Sequence, residues 1–296
     1  MFKTRVIPNC ILIYYICINA PSGNIFIDSL KTNQFQPFSL LLVLLGGMAL
    51  LFIIAPLAGL AFSVSPGELG NAALDPEISR SVWITLSASM MGTLFFGIAA
   101  IPLAYILARK KFRFRQVIIG VIDLPIVIPH TAAGIALLGC ISRETWFGHA
   151  ASSVGINFVG TKTGIVLAMA FVSIPFLINA ARDGFAAVPE RLEKVALTLG
   201  ASPSRVFFRI SVPMAWRSIV SGMVMMFARG MSEFGAVIII AYHPMTAPVL
   251  IFERFGAFGL NYARPAAVLF VFISLSIFII LRLVARRRET NDNLHR

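Results

Sequence analysis

Charged residues divide this chain of 296 residues into apolar stretches with the length of membrane-spanning helices. A bilayer core needs about 20 predominantly apolar residues of helix. Six stretches meet this requirement, although the third contains Asp123 and the fifth contains Arg229 and Glu233. We predict spans at 32–67 (most apolar at 40–62), 81–108, 116–142, 163–181, 218–242 and 265–281.

The first 38 residues are predicted to be an N-terminal extension. Its apolar part, 6–20, is short for a span and contains Pro8, Asn9 and Asn19. Bases before it and small residues after it are similar to a signal peptide. An interfacial or unstructured segment and an unused upstream start are the alternatives. We do not count the extension as a span, and we predict a six-helix body at 39–288 followed by a tail at 289–296.

The composition is typical of a membrane protein, and the distribution of basic residues among the loops explains the positive net charge. Hydrophobic residues make up 58% and charged residues 13% of the chain, whereas soluble domains average about 25% charged residues. The net charge of +12 in a soluble chain would suggest nucleic-acid binding. Here sixteen Lys and Arg lie on one side of the six spans and five on the other. The positive-inside rule therefore places both ends of the body in the cytoplasm, and no nucleic-acid partner is expected.

Polar side chains inside the spans are the candidate functional residues of the membrane part. Arg229 and Glu233 are four residues apart, so they share a helix face and can pair. Because a charge near the bilayer centre costs about 3 kcal/mol, the pair is either a structural salt bridge or a gate beside a path. Asp123 and His130 are further intramembrane polar residues. Asp123 can reach the headgroups, and His130 is either an ordinary interior histidine or a ligand- or pH-responsive one.

We find no sequence pattern for catalysis or for a metal site. Cys10, Cys17 and Cys140 lack the spacing of zinc ligands. The segment 155–163 differs by one inserted residue from a phosphate-binding loop, but it lies in a predicted external loop without a preceding strand. The chain is therefore predicted not to be an enzyme, and any ATP that powers it would be hydrolysed by another subunit.

The loop between the fourth and fifth spans has the pattern of two short helices. Acidic residues follow Pro189, and Leu192, Val195, Ala196 and Leu199 recur at helical spacing. Gly200 is placed to end this helix, and a second one is predicted at 204–210, ended by Pro213. The apolar stripe requires a groove, either on this chain or on a partner.

This loop, at 186–213, resembles the EAA loop with which permease subunits of ABC importers contact their ATPases. The family pattern is approximately Glu-Ala-Ala-x3-Gly-x9-Ile-x-Leu-Pro. Lys194 occupies the position of the Glu, with Glu193 one step earlier. The residues that the resemblance assigns to ATPase coupling are Glu193, Lys194, Val195, Ala196, Leu199, Gly200, Ala201, Ser202 and Pro213.

Three other segments show which group of permeases the chain resembles most. Residues 123–134, 227–236 and 246–252 are similar to segments of sulfate and molybdate permeases, and the whole resemblance covers about 39–288. It is closest to the permease subunits of molybdate/tungstate ABC transporters. It implies an all-α, polytopic membrane protein with the type I importer (MetI-like) fold in the cell membrane.

The resemblance also implies partners and a mechanism. A second copy of the chain would complete the path, two ATPase subunits would bind ATP and Mg, and an extracytoplasmic oxyanion-binding protein would deliver substrate. The chain itself would bind no cofactor. Alternating access would move the oxyanion past path or gate residues, for which the candidates are Thr131, Arg229, Ser232 and Glu233. The alternatives are a sulfate/thiosulfate or other type I permease, and an ion-coupled secondary transporter that uses Asp123, His130 and Glu233 as a relay.

Overall fold

The computed structural model describes the backbone of residues 37–293 and the side chains of residues 38–283. The predicted extension at 1–38, apart from its last two positions, and the last three positions of the predicted tail lie outside these residues. The described chain is helical, with a π-helical turn, Phe207–Ser211, between α9 and α10. Its helices are α1 Pro37–Phe62, α2 Pro66–Leu74, α3 Pro76–Arg109, α4 Arg115–Val127, α5 His130–Ile141, α6 Trp146–Ser153, α7 Lys162–Ala187, α8 Glu190–Thr198, α9 Pro203–Val206, α10 Val212–Met231, α11 Gly235–Ile240, α12 Ala247–Phe258 and α13 Leu260–Asn293.

Five helical stretches are long and apolar enough to cross a membrane by themselves. A sixth is possible if α4 and α5, which are bent by 115° at their junction, count as one span. The first, second, fourth and sixth predicted spans are therefore confirmed as helices of spanning length. The five stretches are Phe38–Phe62, Pro76–Arg109, Lys162–Ala187, Pro203–Met231 and Leu260–Leu283.

The third predicted span, 116–142, is not one continuous helix. It breaks between Val127 and His130, where Ile128 is extended (φ −75°, ψ 148°). Pro129 explains the break, because proline lacks an N–H and disfavours helical geometry in the residue before it. The two halves form a broken span or a re-entrant loop rather than a straight crossing.

The fifth predicted span, 218–242, was wrong at both ends. The helical stretch starts at Pro203 and ends at Met231, so the expected stop at Pro213 does not occur. The π-helical turn widens the helix just before Pro213, which accommodates a ring that would clash with the carbonyl four residues earlier in regular helix. At the other end, the chain leaves the helix at Ser232 and starts the short helix α11 at Gly235.

The chain divides into two compact units, 1–59 and 60–296. Within the first unit, the described part is most of α1, a helix without a charged residue and apolar on every face. Such a helix suits a lipid environment, because it presents no polar face to water. The second unit contains α2 to α13.

Helix α7 is the centre of the second unit. Of its most apolar 18-residue window, 61% is buried, compared with 33% for the spans containing α3 and α10. It packs along both of those helices. A Cβ atom at Gly92 of α3 would lie 3.3 Å from the Val166 carbonyl oxygen of α7, and one at Gly222 of α10 would lie 2.9 Å from the Cβ of Ala180. Small residues thus allow the close helix approach that is typical of membrane bundles.

The two broken segments pack on each other. Helix α5 follows the first break and helix α11 follows the second, and the two helices are in contact. A Cβ atom at Gly134 would lie 2.9 Å from the Cα of Ala236, and one at Gly235 would lie 2.8 Å from the Cβ of His130. Glycine is therefore required on both sides of the crossing, because the backbones leave no room for a side chain.

We expect Gly134→Ala to destabilise the protein by about 1–3 kcal/mol, the usual effect of overpacking. Its new methyl group would meet the backbone of Ala236, which cannot move aside as a flexible side chain can. The matched control is Gly139→Ala on the same helix, where nothing lies within 4 Å. Thermal unfolding midpoints in detergent should fall for Gly134→Ala only; equal midpoints for the two variants would contradict the crossing geometry.

Candidate functional site

Helix α8 is built as the sequence predicts and is closed by a glycine cap. Glu190 and Glu193 lie in its first turn, where the helix dipole favours acids. At its end the Gly200 N–H donates to the Leu197 carbonyl and the Ala201 N–H donates to the Ala196 carbonyl, both at 3.0 Å. This is the Schellman arrangement, and it requires the positive φ of 85° at Gly200.

The next helix, α9, begins with a side-chain cap. Ser202 has extended backbone geometry and its hydroxyl accepts a hydrogen bond from the Arg205 N–H, while Pro203 occupies a first-turn position. From α9 the chain passes through the π-helical turn into the long helix α10. The loop therefore joins the membrane part without a flexible linker on its α10 side.

The apolar stripe of α8 is exposed, and the described part of the chain provides no groove that covers it. The exposed fractions are 44% for Leu192, 56% for Val195 and 82% for Leu199. Lys194, which occupies the position of the family acid, is exposed as well, and its Nζ lies 3.0 Å from Oε2 of Glu190. This hydrogen bond, with the ammonium charge, lowers the pKa of the Glu190 carboxyl below its usual value.

Glu193 is the exception on this helix, because it is a buried charge. Its side chain is 10% exposed, and its Oε1 lies 2.7 Å from Nη2 of Arg109, the last residue of α3. The Ser211 hydroxyl donates to the same oxygen at 2.7 Å, and the Tyr105 hydroxyl donates to Oε2 at 3.3 Å. Burial of an ion pair is favourable only with such additional hydrogen bonds.

A second polar cluster lies where both helix breaks meet. Nη2 of Arg229 lies 2.6 Å from Nε2 of His130 and 2.9 Å from Oε2 of Glu233. The other Glu233 oxygen accepts a hydrogen bond of 2.9 Å from the Ala236 N–H at the start of α11. Nη1 of Arg229 lies 3.4 Å from the exposed Ser232 hydroxyl. The predicted pairing of Arg229 with Glu233 is confirmed.

The cluster determines the tautomer of His130. A guanidinium group has only donors, so Nε2 of His130 accepts and the ring proton of the neutral imidazole lies on Nδ1. Nδ1 is buried, and among the described residues no hydrogen-bond partner reaches it. In the same cluster, the charges of Arg229 and Glu233 compensate each other.

The two members of the ion pair, for which the sequence left a structural salt bridge and a gate as alternatives, differ in burial and in contacts. Glu233 is fully buried and holds the turn between α10 and α11, which is a structural role. Arg229 has a 22% exposed side chain and lies beside exposed Ser232, so hydrogen-bond donors reach the surface of this chain. One residue pair therefore anchors the break and presents a polar patch.

Of the other two intramembrane candidates, Asp123 lies apart from this contact network and Thr131 lies beside it. Asp123 on α4 accepts a hydrogen bond of 2.6 Å from the Asn179 side chain on α7. It therefore binds a neighbouring helix, and the structure does not bring it into contact with His130 or Glu233. Thr131 is exposed and follows His130 at the start of α5.

Sequence reasoning missed the partners of Glu193. Arg109 was interpreted only as part of the cytoplasmic charge excess, and Tyr105 and Ser211 were not considered. These residues are 84, 88 and 18 positions away from Glu193. No local pattern links positions that far apart, and the acid in the first turn of α8 also has an adequate local explanation.

The helical stretches of spanning length define a multi-pass membrane protein. Residues 100–290 match the family described as binding-protein-dependent transport system inner membrane component, and the chain belongs to that family.

Relatives of known name agree with this assignment. The chain is 42% identical to the molybdate/tungstate transport system permease protein WtpB of Methanocaldococcus jannaschii, over 81% of this chain and 94% of the relative. It is 48% identical to the protein of the same name from Pyrococcus abyssi, over 70% and 77%. A probable sulfate transport system permease protein of Chlorokybus atmophyticus is 32% identical over 72% and 75%.

Solved structures show the same fold. A chain of a bacterial ABC transporter involved in the import of the polysaccharide alginate superimposes with a TM-score of 0.67 at 17% identity, over 90% of this chain and 99% of that chain. A chain of the MetNI methionine ABC transporter in an inward-facing conformation gives 0.55 at 13% identity, over 71% and 93%. The expected all-α, MetI-like importer fold is confirmed.

We expect an asymmetric response to removal of the two charges in the pair. Arg229→Met leaves a fully buried carboxylate without its cation and should cost about 3–5 kcal/mol of stability. Glu233→Gln should cost less, roughly 1–2 kcal/mol, because the amide oxygen can still accept from Ala236 and Arg229 can reach the surface.

The measurement is thermal unfolding in detergent for both single variants and for the double variant Arg229→Met/Glu233→Gln. The double variant should be more stable than Arg229→Met alone, since no buried charge remains. Additive losses in the double variant would show that the two side chains are not coupled.

Proposed function

We propose that this chain is the transmembrane subunit of an ABC importer for molybdate and tungstate. The observation that carries the proposal is its 42–48% identity to permeases named for molybdate/tungstate transport. The named sulfate permeases are 30–32% identical. The larger identity favours molybdate and tungstate, and sulfate or thiosulfate is the second candidate because those relatives cover a similar share of the chain.

The exposed stripe of α8 is the proposed contact with the ATPase. Apolar side chains that no described part of the chain covers, on a rigid helix outside the spans, suit insertion into a groove of a partner. Two copies of the chain would present two such helices to two ATPase subunits, which bind ATP and Mg. Closure of the ATPases would move the helices together and switch the path from inward-open to outward-open.

Two long-range ion pairs support the proposed orientation. Arg109 and Glu193 come from segments that are both predicted to be cytoplasmic, and they are in contact. Arg254 lies 2.8 Å from Asp75, and both belong to segments predicted to be external. Each pair joins residues assigned to the same side of the membrane, as the charge asymmetry requires.

The polar patch around Arg229 is the proposed part of the path in this chain. Arg229, Ser232 and Thr131 offer hydrogen-bond donors that a tetrahedral oxyanion can use. Because Glu233 compensates the charge of Arg229, the patch would hold a dianion only weakly, which suits passage rather than storage. An external binding protein would then supply the affinity and much of the selectivity.

The substrate is tested by reconstituting the chain with its ATPase and binding protein in liposomes. We expect uptake of labelled tungstate that requires internal ATP, is inhibited by unlabelled molybdate and is little affected by excess sulfate. ATP-dependent uptake inhibited equally by sulfate would favour the second candidate. Failure of the chain to co-purify with an ATPase, or uptake driven by an ion gradient without ATP, would contradict the ABC assignment.

The role of α8 is tested at its cap. Gly200→Pro cannot adopt the positive φ of this position, and Gly200→Ala adopts it at a cost of about 1–2 kcal/mol. We expect Gly200→Pro to abolish uptake and Gly200→Ala to reduce it by up to about tenfold, since 1.4 kcal/mol corresponds to a factor of ten.

The matched control is Gly155→Ala, which places the same strain (φ 82°) in a loop predicted to be external. A Cβ atom added at either glycine would have open space around it, so the two alanine variants differ in location rather than in crowding. Normal uptake in Gly200→Pro would exclude α8 as the coupling element.

A further inference from the structure

The carboxylate of Glu193 contacts two separate elements of the fold besides its own helix. Arg109 donates to its Oε1 from Nε at 3.0 Å and from Nη2 at 2.7 Å, a contact with the end of α3. The Ser211 hydroxyl donates to Oε1 from the π-helical turn that leads into α10. Glu193 itself lies on α8, so one side chain joins the exposed helix to two membrane-spanning helices.

Arg109 also fixes the segment by which the chain enters α8. Its Nη2 donates to the Val188 carbonyl at 2.9 Å, two residues before the helix begins. Val188 is itself buried. The start and the first turn of α8 are therefore both held by one residue at the end of α3, and α8 cannot tilt without moving or breaking these contacts.

Two aromatic rings pack on Tyr105, which belongs to this network. The ring of Tyr105 lies 5.3 Å from that of Phe185 and 4.9 Å from that of Phe207, measured between centroids. The side chains of Arg109 and Glu193 are 11% and 10% exposed, whereas those of Lys194 and Glu190 on the surface of α8 are 72% and 56% exposed. Charges that are shielded from water interact more strongly and are less screened by salt.

The π-helical turn places Ser211 in this network. Its hydroxyl lies 3.4 Å from the Val206 carbonyl five residues earlier and 2.7 Å from Glu193. The turn precedes Pro213, so the same local widening that accommodates the proline presents a hydroxyl to α8. π-Helical turns of this kind occur frequently at functional positions.

We infer that Glu193 is a positioning residue that transmits displacement of α8 to α3 through Arg109 and to α10 through Ser211. The inference rests on the proposed function, in which an ATPase moves α8. The acid turns inward, one step before the position where the family has Glu and this chain has exposed Lys194. Its partners are therefore the membrane helices of its own chain and not the ATPase.

The test compares Glu193→Ala, Glu193→Gln and Ser211→Ala in the reconstituted importer with its ATPase and binding protein. The readout is the number of tungstate ions imported per ATP hydrolysed, with co-purified ATPase per permease measured separately. Asp183→Ala is the matched control, because it removes a 73% exposed carboxylate that also pairs with an arginine and lies on the same predicted side.

We expect the ratio to fall about tenfold in Glu193→Ala, within the range usual for coupling between sites. Glu193→Gln should lie between Glu193→Ala and the unchanged protein, because its amide oxygen still accepts from Arg109 and Ser211 without the charge. Ser211→Ala removes only the contact to α10 and should lower the ratio by a smaller factor. Asp183→Ala should leave it unchanged.

A purely structural role predicts a different result. It would lower the amount of assembled complex and leave the number of tungstate ions imported per ATP hydrolysed unchanged. That outcome in Glu193→Ala and Ser211→Ala would overturn the inference. If Glu193→Ala fails to assemble, an unchanged ratio in Ser211→Ala is sufficient to overturn it. Absence of ATP-dependent oxyanion uptake in the unchanged protein would instead overturn the proposed function, and with it this inference.

Discussion

The structure depends on the requirement that backbone polar groups and charges in an apolar environment find partners inside the protein. Where the helices break, side chains meet this requirement. The buried carboxylate of Glu233 accepts from the first turn of α11, and Arg229 compensates its charge. At the first turn of α8, Arg109 and Glu193 satisfy each other. At the second break the buried charge and the turn occur together, because the carboxylate provides the acceptor that the backbone N–H needs.

This requirement also explains why α8 is built contrary to the usual pattern of an amphipathic helix. Its apolar residues, such as Val195, are exposed, and its charged Glu193 is buried. In an isolated chain such exposure is unfavourable, since it leaves apolar surface in water. The exposure is explained if a partner covers that apolar surface. The buried carboxylate then attaches the helix to the spans. One face of the helix would then bind the partner, while the side chain of Glu193 binds residues of its own chain.

Hydropathy located most of the spans but not the breaks within them. Apolar length identified the first, second, fourth and sixth spans, because a helix that crosses the bilayer core is predominantly apolar over about 20 residues. The same criterion located apolar segments at 116–142 and 218–242, but it missed the break in the first and misplaced both ends of the second. Hydropathy responds to solvation alone, so it cannot distinguish a straight crossing from two short helices that meet at Pro129, nor detect a π-helical turn at 207–211 that carries the helix past Pro213.

The sequence by itself determined the membrane class, the family, the helix at α8 with its glycine cap, and the pairing of Arg229 with Glu233. Each of these depends on residues that are near each other in the chain or on a pattern of matching length. Only the tertiary structure decided that His130 joins Arg229, that Asp123 binds Asn179 instead, and that Glu193 turns inward to Arg109. Those contacts join residues 56 to 99 positions apart, and which charges share a buried site depends on how the helices pack.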